Sequence, residues 1–331
     1  MIRNNVNHKP STVLLVAAFL AIYFLWGATF LAMRFAVASL PPFFMTGTRQ
    51  LTAGIILYIW ARARGDAKPK TIHWRSAAII GALMLVFGNA MVVRSEQWVP
   101  SGLAAVLIST ISLWMVLLDW LWRKNSRPNT GMIIGLVAGF GGILLLVGPN
   151  NLAGGRPVEL ASAAVLIMAA FFWALGSIYT RHAPLPSSNL LATAMELVAG
   201  GVLLFIAGSV TGEWSRLDIG RVTTQSVLSL GYLIVFGSIV GMTAYTWLLK
   251  ISSAARVGTY AFVNPVVAVV LGWFFAGERL TLRTILAAAI IVGAVALINI
   301  CQPRRTVAPN VVGTRDVKTE TGDTVAAQAK A

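Results

Sequence analysis

Long apolar stretches separated by short polar loops dominate this sequence. The run 257–277 carries no charged residue, and at about 1.5 Å per residue a helix of that length crosses the roughly 30 Å hydrocarbon core of a bilayer. Similar runs recur along the chain, so we predict an all-α integral membrane protein with ten transmembrane helices. The predicted spans are 13–33, 43–61, 76–93, 97–118, 130–148, 160–180, 189–210, 227–249, 257–277 and 284–302.

The composition narrows the class of protein. The chain has 331 residues, of which 57% are hydrophobic and 11% charged, which is typical of a protein that resides in the lipid bilayer. The formal net charge is +15, but the basic residues lie between apolar runs without forming a patch, which argues against nucleic-acid binding. One cysteine and the lack of metal-ligand spacing predict neither a disulfide nor a metal site.

The lysines and arginines predict the orientation of the chain. If the N-terminus is cytoplasmic, 18 of these residues fall on the cytoplasmic side and 7 on the opposite side, and cytoplasmic loops carry the excess of positive charge. We therefore predict a multi-pass protein of the bacterial inner membrane with both termini in the cytoplasm. Residues 1–12 are predicted to form a cytoplasmic tail, and the polar tail 303–331 is predicted to be disordered.

The two halves of the chain match each other at nearly constant spacing. Trp26 matches Trp173 at an offset of 147, and residues 51–54 match residues 197–200 at an offset of 146. Two further pairs of segments match at offsets of 153 and 151. A near-constant offset over the length of a chain is the signature of an internal repeat.

The repeat predicts the domain organisation. Each half holds five predicted spans, an odd number, so the second half enters the membrane from the opposite side. This predicts two inverted five-helix repeats, 13–148 and 160–302, joined by the loop 149–159. Inverted repeats of this kind enclose a substrate site near the membrane midplane.

A proline stands in the middle of the run 257–277. Pro265 removes a backbone donor and disfavours helical geometry at Asn264, so we predict a helix broken at mid-depth. Carbonyl groups freed inside a membrane persist only where protein, water or a ligand satisfies them, so the break points to a cavity. Its counterpart, 100–122, carries Ser112 in its middle and is predicted to be the straighter helix, which assigns the mobile gate to Pro265.

Several motifs together resemble a known family. They are Trp26-Gly27 followed by Arg34, Asn264-Pro265 followed by Gly272, the sequence Gly-Glu-Arg-Leu-Thr at 277–281, and the segment 99–106. On these residues the chain resembles the EamA-type ten-helix permeases of the drug/metabolite transporter superfamily, and among them the YedA-like members. The resemblance covers roughly residues 12–300.

The resemblance implies a secondary active transporter that exports a small organic metabolite, such as an amino acid, a nucleoside or a drug-like compound, by alternating access at the repeat interface. It implies no cofactor and no ATP, and the chain has no phosphate-binding loop. A proton is a candidate coupling ion. A lipid-linked sugar flippase is an alternative, since small relatives move such lipids. An intramembrane enzyme is disfavoured because the three histidines fall in the tail or loops.

Two ionisable residues, Arg49 and Glu196, lie well inside the predicted spans. A charge at membrane depth is costly and usually faces a cavity or a partner, so both are candidates for substrate binding. Arg49 can alternatively snorkel to the membrane surface, because it lies six residues into its span. Glu196 can recognise an ammonium group, carry a proton or serve as a structural partner for a neighbouring helix.

Aromatic residues provide a second set of candidates. Trp26 and Trp173 occupy equivalent positions in the first helix of each repeat, so we predict that they form opposite walls of a central pocket and stack on the substrate. Tyr23, Tyr245 and Tyr260 are further candidates for the same pocket. Ordinary helix packing is the alternative for each of these rings.

Polar and small residues at membrane depth complete the predicted site. Asn89 and Asn264 are candidates for hydrogen bonds to the substrate or across helices. The glycines at 131, 135 and 139 recur every four positions, a spacing that permits close helix packing either within the fold or in a homodimer.

Overall fold

The computed structural model describes residues 11–95, 107–123, 128–147, 160–276 and 281–301. Within these ranges the chain is helical and holds no β-strand, which confirms the all-α prediction. Ten long helices occur there: α1 (Thr12–Ala36), α2 (Pro42–Ala63), α3 (Thr71–Ser95), α4 (Ile111–Arg123), α5 (Thr130–Val147), α6 (Leu160–Thr180), α7 (Asn189–Val210), α8 (Thr224–Ile251), α9 (Tyr260–Ala276) and α10 (Leu282–Ile300). Residues 1–10 of the predicted N-terminal tail, the loop 149–159 and the tail 303–331 lie outside the described residues.

Length and hydropathy allow five of these helices, α1, α3, α7, α8 and α10, to cross a bilayer. Shorter apolar helices are Leu107–Trp122, Thr130–Leu145 and Ala164–Thr180. Large apolar side chains are exposed on the helix surfaces, for example Val137 on α5 and Val292 on α10, and extended apolar surfaces of this kind are stable in hydrocarbon. The chain therefore has a multi-span membrane fold, while the number of spans stays a prediction.

Polar residues extend several helices beyond the apolar runs that predict them. Helix α3 begins at Thr71, where the hydropathy pattern places the start at residue 76. Helix α8 begins at Thr224, and the Thr223 hydroxyl accepts a hydrogen bond from the Ser226 backbone N–H. Hydropathy marks only the part of a helix that lies in lipid, whereas threonine and serine caps satisfy the free N–H groups at its start.

Helices at equivalent positions of the two halves contact each other. Helix α2 packs along α7, and α5 packs along α10. The contact of α1 with α8 corresponds to the contact of α6 with α3 in the other half. Likewise, the contact of α9 with α1 corresponds to that of α4 with α6. On α5, Gly135 lies against Ile298 of α10 and Gly139 against Phe262 of α9. The regularly spaced glycines thus serve contacts within the chain.

Within the described ranges, three helices contain a π-helical segment in an otherwise α-helical path. The segments are Ala21–Leu25 in α1, Gly81–Ala90 in α3 and Leu233–Val240 in α8. Such segments leave backbone carbonyls outside the regular hydrogen-bond pattern and are frequent at functional sites. The segments of α3 and α8 occupy equivalent helices of the two halves: α7 packs on the first and α2 on the second.

The predicted break at Pro265 is wrong in its position. Helix α9 continues through Pro265, and the interruption lies at Thr259, between α9 and the short helix Ala254–Gly258. The Thr259 hydroxyl donates to the Arg256 carbonyl at 2.6 Å and so competes with the backbone pattern at that point. Pro265 removes one intrahelical bond close to the start of α9, which the helix tolerates.

The first-half counterpart, predicted to be the straighter helix, is also interrupted. Residues 107–109 are helical, Thr110 makes a turn, and α4 follows. The Thr110 hydroxyl donates to the Leu107 carbonyl at 2.6 Å, the same three-residue bond that Thr259 makes. In both halves the interruption thus lies at a threonine and not at a proline. The start of this predicted span, 97–106, lies outside the described residues.

Candidate functional site

Four aromatic side chains from four helices contact one another inside the bundle. The ring centroid of Trp26 on α1 lies 5.0 Å from those of Tyr245 on α8 and Tyr260 on α9, and 5.7 Å from that of Trp173 on α6. Rings in direct tilted or edge-to-face contact leave no space for a substrate between them. The prediction that Trp26 and Trp173 form opposite walls is therefore wrong. The four rings form one continuous surface, which we call the aromatic floor.

Hydrogen bonds fix the Trp173 ring in the aromatic floor. Trp173 Nε1 donates to the Tyr245 hydroxyl oxygen at 3.1 Å, and that oxygen lies 2.6 Å from Ser177 Oγ. Because Ser177 donates its own proton to the Trp173 carbonyl at 2.7 Å, the Tyr245 hydroxyl donates to Ser177. Tyr245 is fully buried and supports the floor without lining the cavity described below.

The π segments of α8 and α3 make room for the two tryptophans. Trp26 Nε1 donates to the Gly237 carbonyl of the α8 segment at 3.0 Å, and a side chain at Gly241 would overlap the Trp26 indole. In the α3 segment, a Cβ at Gly88 would lie 3.1 Å from the Trp173 ring. Each tryptophan therefore packs against a glycine of the opposite half, Trp173 against Gly88 within the α3 segment and Trp26 against Gly241 directly after the α8 segment.

Arg49 is held inside the bundle and does not snorkel to the surface. Its side chain is only 5% exposed, and its Nε donates to Ser238 Oγ at 2.8 Å. Ser238 in turn donates to Gln50 Oε1 at 2.8 Å. In the part of the chain that the structure describes, no carboxylate pairs with Arg49 and no group accepts a hydrogen bond from its two terminal nitrogens. The groups that hold this charge thus come from two helices, Ser238 from α8 and Gln50 from α2.

Asn264 ties α9 to α1. With its amide oriented so that the nitrogen donates, Asn264 hydrogen-bonds the backbone carbonyls of Tyr260 and Tyr23, both at 3.1 Å. The Tyr23 carbonyl belongs to the π segment of α1. The Tyr23 hydroxyl lies 2.6 Å from Thr259 Oγ1, at the interruption before α9. Tyr23 therefore holds two helices together and, contrary to the prediction, is not part of the cavity lining.

A cavity of about 90 Å³ lies against the aromatic floor. Seven of the ten predicted site residues line it: Trp26, Arg49, Asn89, Trp173, Tyr260, Asn264 and Pro265. The remaining lining is mostly apolar, as in small-molecule sites, where a few polar groups orient the ligand. Asn89 Oδ1 is buried and accepts no hydrogen bond from the described residues. Among those residues, no group of three His, Cys, Asp or Glu side chains is placed to hold a metal ion.

Glu196 lies outside this cavity, contrary to the prediction. Its side chain on α7 is 1% exposed, and neither carboxyl oxygen has a hydrogen-bond partner in the described ranges. Lys250 of α8 is near enough for its charge to act on Glu196, but the two do not form an ion pair within 4.0 Å. An intramembrane carboxyl of this kind remains a candidate proton carrier.

Sequence reasoning missed two residues that shape the site. Ser238 holds Arg49, and Gln50 both lines the cavity and accepts the Ser238 proton. The signal for Ser238 was a hydroxyl in the middle of the predicted span 227–249, next to Gly237. The signal for Gln50 was its place beside Arg49 on the same helix.

Comparisons with known proteins identify the family. The sequence model of the EamA-like transporter family matches residues 13–148 and 160–300. The chain is 38% identical over 287 residues to the uncharacterized inner membrane transporter YedA of Escherichia coli K12, covering 86% of this chain and 90% of that protein. It is 27% identical over 292 residues to the uncharacterized transporter YvbV of Bacillus subtilis 168, covering 88% and 92%.

A solved crystal structure shows the same fold. It superposes with a TM-score of 0.70 at 19% sequence identity and covers 88% of this chain and 98% of its own. Together with the multi-span helical fold and the central cavity, these similarities show that the chain belongs to the EamA-like transporter family and is a membrane transporter.

Proposed function

We propose that the protein is a secondary active transporter that exports a small organic metabolite across a bacterial inner membrane by alternating access. The cavity carries this proposal, because its lining comes from α1 to α4 in the first half and from α6, α8 and α9 in the second. A site between two halves can open to either side when one half rocks against the other. The similarity to an Escherichia coli inner membrane transporter supports the location.

Two inverted five-helix repeats, with ten spans in all, are part of this proposal. The family model matches two successive segments of the chain, and equivalent helices pair across the halves. The interruptions at Thr110 and Thr259 use the same hydroxyl-to-carbonyl bond. These features support a two-fold relation between residues 13–148 and 160–302.

Both termini are proposed to face the cytoplasm, on the basis of the distribution of lysine and arginine. A reporter enzyme that is active only in the periplasm, fused after Ala331, is expected to be silent, whereas the same reporter inserted between the halves, after Gly155, is expected to be active. The reverse result would contradict this orientation.

The proton is the proposed coupling ion, and Glu196 its proposed carrier. The carboxyl is buried, ionisable and without a hydrogen-bond partner among the described residues. Acidic residues in this setting carry protons in pumps and transporters. Because Glu196 lies off the cavity, it acts in this proposal through helix α7 and not by touching the substrate.

A small metabolite fits the cavity better than a lipid-linked sugar does. Phosphate groups are usually held by several positive charges, and Arg49 is the one charged side chain among the described lining residues. The volume of about 90 Å³ is also below the range of about 300–1,000 Å³ for drug-sized ligands. The observed cavity therefore favours a compact substrate.

Transport by the purified full-length chain in proteoliposomes tests the proposed function. Labelled amino acids, nucleosides, organic acids and cationic drugs are supplied with and without a proton gradient, and at least one class is expected to cross faster than in protein-free liposomes. Trp173→Ala, which removes a lining ring, is expected to weaken apparent affinity about tenfold or more.

The matched control is Trp60→Ala, because Trp60 is 47% exposed on α2 and does not line the cavity. It is expected to transport like the parent. The absence of flux for every class, in liposomes that contain folded protein, would contradict the transport proposal.

A further inference from the structure

The charge of the cavity lining is unbalanced. Among the described residues that line it, Arg49 is the one charged side chain, and the polar remainder consists of neutral amides and hydroxyls. Arginine stays protonated in proteins. The cavity lining therefore carries a fixed charge of one positive unit, and no acidic side chain among its described residues offsets that charge.

The guanidinium of Arg49 is positioned but not saturated. Its Nε is bonded to Ser238 Oγ at 2.8 Å, which fixes the plane of the group, and Gly237 lies against Nη2 because a Cβ there would be 2.7 Å away. The two terminal nitrogens carry four further N–H donors, and none has an acceptor among the described residues. A side chain that is 5% exposed must then find its acceptors in the cavity.

A buried cation without a partner is destabilising, and an anion that supplies both charge and acceptors offsets this cost. A carboxylate matches the two parallel N–H groups of a guanidinium and carries one negative charge. A phosphate dianion would leave the cavity with a net negative charge, and an ammonium would add a second positive charge. The single fixed cation therefore selects a monoanion.

The apolar part of the lining defines the rest of the ligand. Trp26, Trp173 and Tyr260 present rings of the aromatic floor to the cavity, next to small side chains such as Ala169 and Ala170. Flat or apolar groups pack well on such a surface. The small volume limits the body to a compact ring or a short chain.

We propose that the cavity takes a compact organic monoanion, in which a carboxylate binds Arg49 and a flat or apolar body lies on the aromatic floor. This inference rests on the proposed transport function and narrows its substrate class. It sets monocarboxylates apart from zwitterionic amino acids, nucleosides and cationic drugs.

A matched series of probes tests the proposal on the full-length protein in detergent micelles. The probes share a phenyl ring and differ in charge: 3-phenylpropionate, 3-phenylpropionamide, L-phenylalanine, 3-phenylpropylamine and 2-phenylethyl phosphate. Isothermal titration calorimetry is expected to give the tightest binding for 3-phenylpropionate and about 10- to 100-fold weaker binding for the neutral amide, as the loss of a charge-assisted hydrogen bond predicts. The amine is expected to bind most weakly.

Three variants connect this preference to Arg49. Arg49→Gln is expected to bring the affinity ratio of carboxylate to amide close to one, while Arg49→Lys keeps a preference for the anion at lower affinity because it lacks the paired N–H groups. Arg75→Gln, which changes an exposed arginine on α3, is expected to leave the ratio unchanged. Elution volume and thermal midpoint show whether each variant is folded.

The parent protein alone can overturn the proposal, even if Arg49→Gln does not fold. Tighter binding of the amine, of L-phenylalanine or of the phosphate than of 3-phenylpropionate would do so, and so would failure of all five probes to bind. Flux of only neutral or cationic compounds in proteoliposomes would also refute the monoanion while leaving the transport function standing. Absence of all flux would count against the transport function itself.

Discussion

Helices α2 and α7 occupy equivalent places in the two halves and approach each other in the same way. A Cβ at Gly54 of α2 would lie 2.6 Å from the Val198 backbone nitrogen of α7. A Cβ at Gly201 of α7 would lie 2.7 Å from the Leu51 backbone nitrogen of α2. Each helix thus uses a glycine to bring the two backbones together, and Gly201 lies one residue beyond the repeat equivalent of Gly54.

The charges that these two helices bury are opposite and differ in their surroundings. Arg49 of α2 is bonded to Ser238 and lines the cavity, whereas Glu196 of α7 lies off the cavity without a hydrogen-bond partner in the described ranges. At the repeat offset of 146, Glu196 corresponds to Gln50, which is neutral. Close packing of the two backbones requires glycine on both helices, but it does not require the polar residues of the two helices to be the same. One helix can therefore hold a ligand charge while its counterpart carries a proton.

Glu196→Gln tests the difference between Arg49 and Glu196, and it is expected to have the largest effect on transport. Glutamine keeps the shape of the side chain but does not gain and lose a proton. We expect proton-driven accumulation in proteoliposomes to fall to the level of protein-free liposomes, while exchange of labelled for unlabelled substrate continues without a gradient. Both rates are measured on the same preparation.

Asp218→Asn is the control for this variant, because Asp218 is an exposed carboxylate paired with Arg221 in the loop between α7 and α8. It is expected to keep both activities. Two results would contradict the role of Glu196 as proton carrier. One is proton-driven accumulation that persists in Glu196→Gln, and the other is transport by the parent protein that does not depend on the proton gradient.

The shared packing of α2 and α7 is tested by Gly54→Ala and Gly201→Ala. Each added methyl group meets backbone atoms of the partner helix, which cannot move aside as a flexible side chain can. We expect each variant to lose about 1–3 kcal/mol of stability, measured as the loss of structure on denaturation in detergent micelles. Similar losses are expected for both variants, because the added methyl groups would lie 2.6 and 2.7 Å from backbone nitrogens of the partner helix.

Gly47→Ala provides the control on the same helix. A Cβ there would lie 3.4 Å from Leu204 Cβ, an ordinary van der Waals contact, and alanine favours the helix over glycine. Its stability is expected to equal or exceed that of the parent. A large loss in Gly201→Ala with none in Gly54→Ala would show that the two helices do not share one packing mode.

The sequence predicted the helices well because lipid leaves few alternatives. A span such as 189–210 must satisfy its backbone internally, so its hydropathy alone indicates a helix, and α7 covers the same residues. The predicted site residues also gather largely in one place, because polar groups at membrane depth tend to face a cavity. Hydropathy and repeat spacing were sufficient for these two conclusions.

Details that depend on single hydrogen bonds were not predictable in the same way. The pattern indicated a break at Pro265, but the helix is interrupted at Thr259, where the side-chain hydroxyl donates to the Arg256 carbonyl. Periodicity also gave no indication of the π segment that admits Trp26 at Gly237. The depth and facing of Glu196 depend on the packing of α7, which hydropathy does not specify.

A smaller effect is expected from Ser238→Ala, which removes the acceptor of the Arg49 Nε proton. The guanidinium then loses its fixed orientation, and we expect affinity for 3-phenylpropionate to fall about three- to tenfold. Ser229→Ala is the control, since Ser229 lies on the same helix α8 and does not line the cavity. Unchanged affinity in Ser238→Ala would show that ligand binding by Arg49 does not depend on its hydrogen bond to Ser238.

The smallest effect is expected on the α7 side, from Thr193→Val. The Thr193 hydroxyl lies 2.5 Å from Thr246 Oγ1, and it is the donor because Thr246 gives its own proton to the Met242 carbonyl at 2.9 Å. Valine keeps the shape and removes this one buried bond, so we expect a loss of about 0.5 to 1 kcal/mol of stability with no change in affinity for 3-phenylpropionate.

Thr193→Val and Ser238→Ala form a pair, because each removes one buried hydroxyl contact between α8 and one of the two equivalent helices. If α2 serves binding and α7 does not, calorimetry distinguishes the two variants. The affinity for 3-phenylpropionate then falls only in Ser238→Ala, although the thermal midpoint falls in both variants. Equal losses of affinity would mean that both polar contacts act through the rigidity of α8.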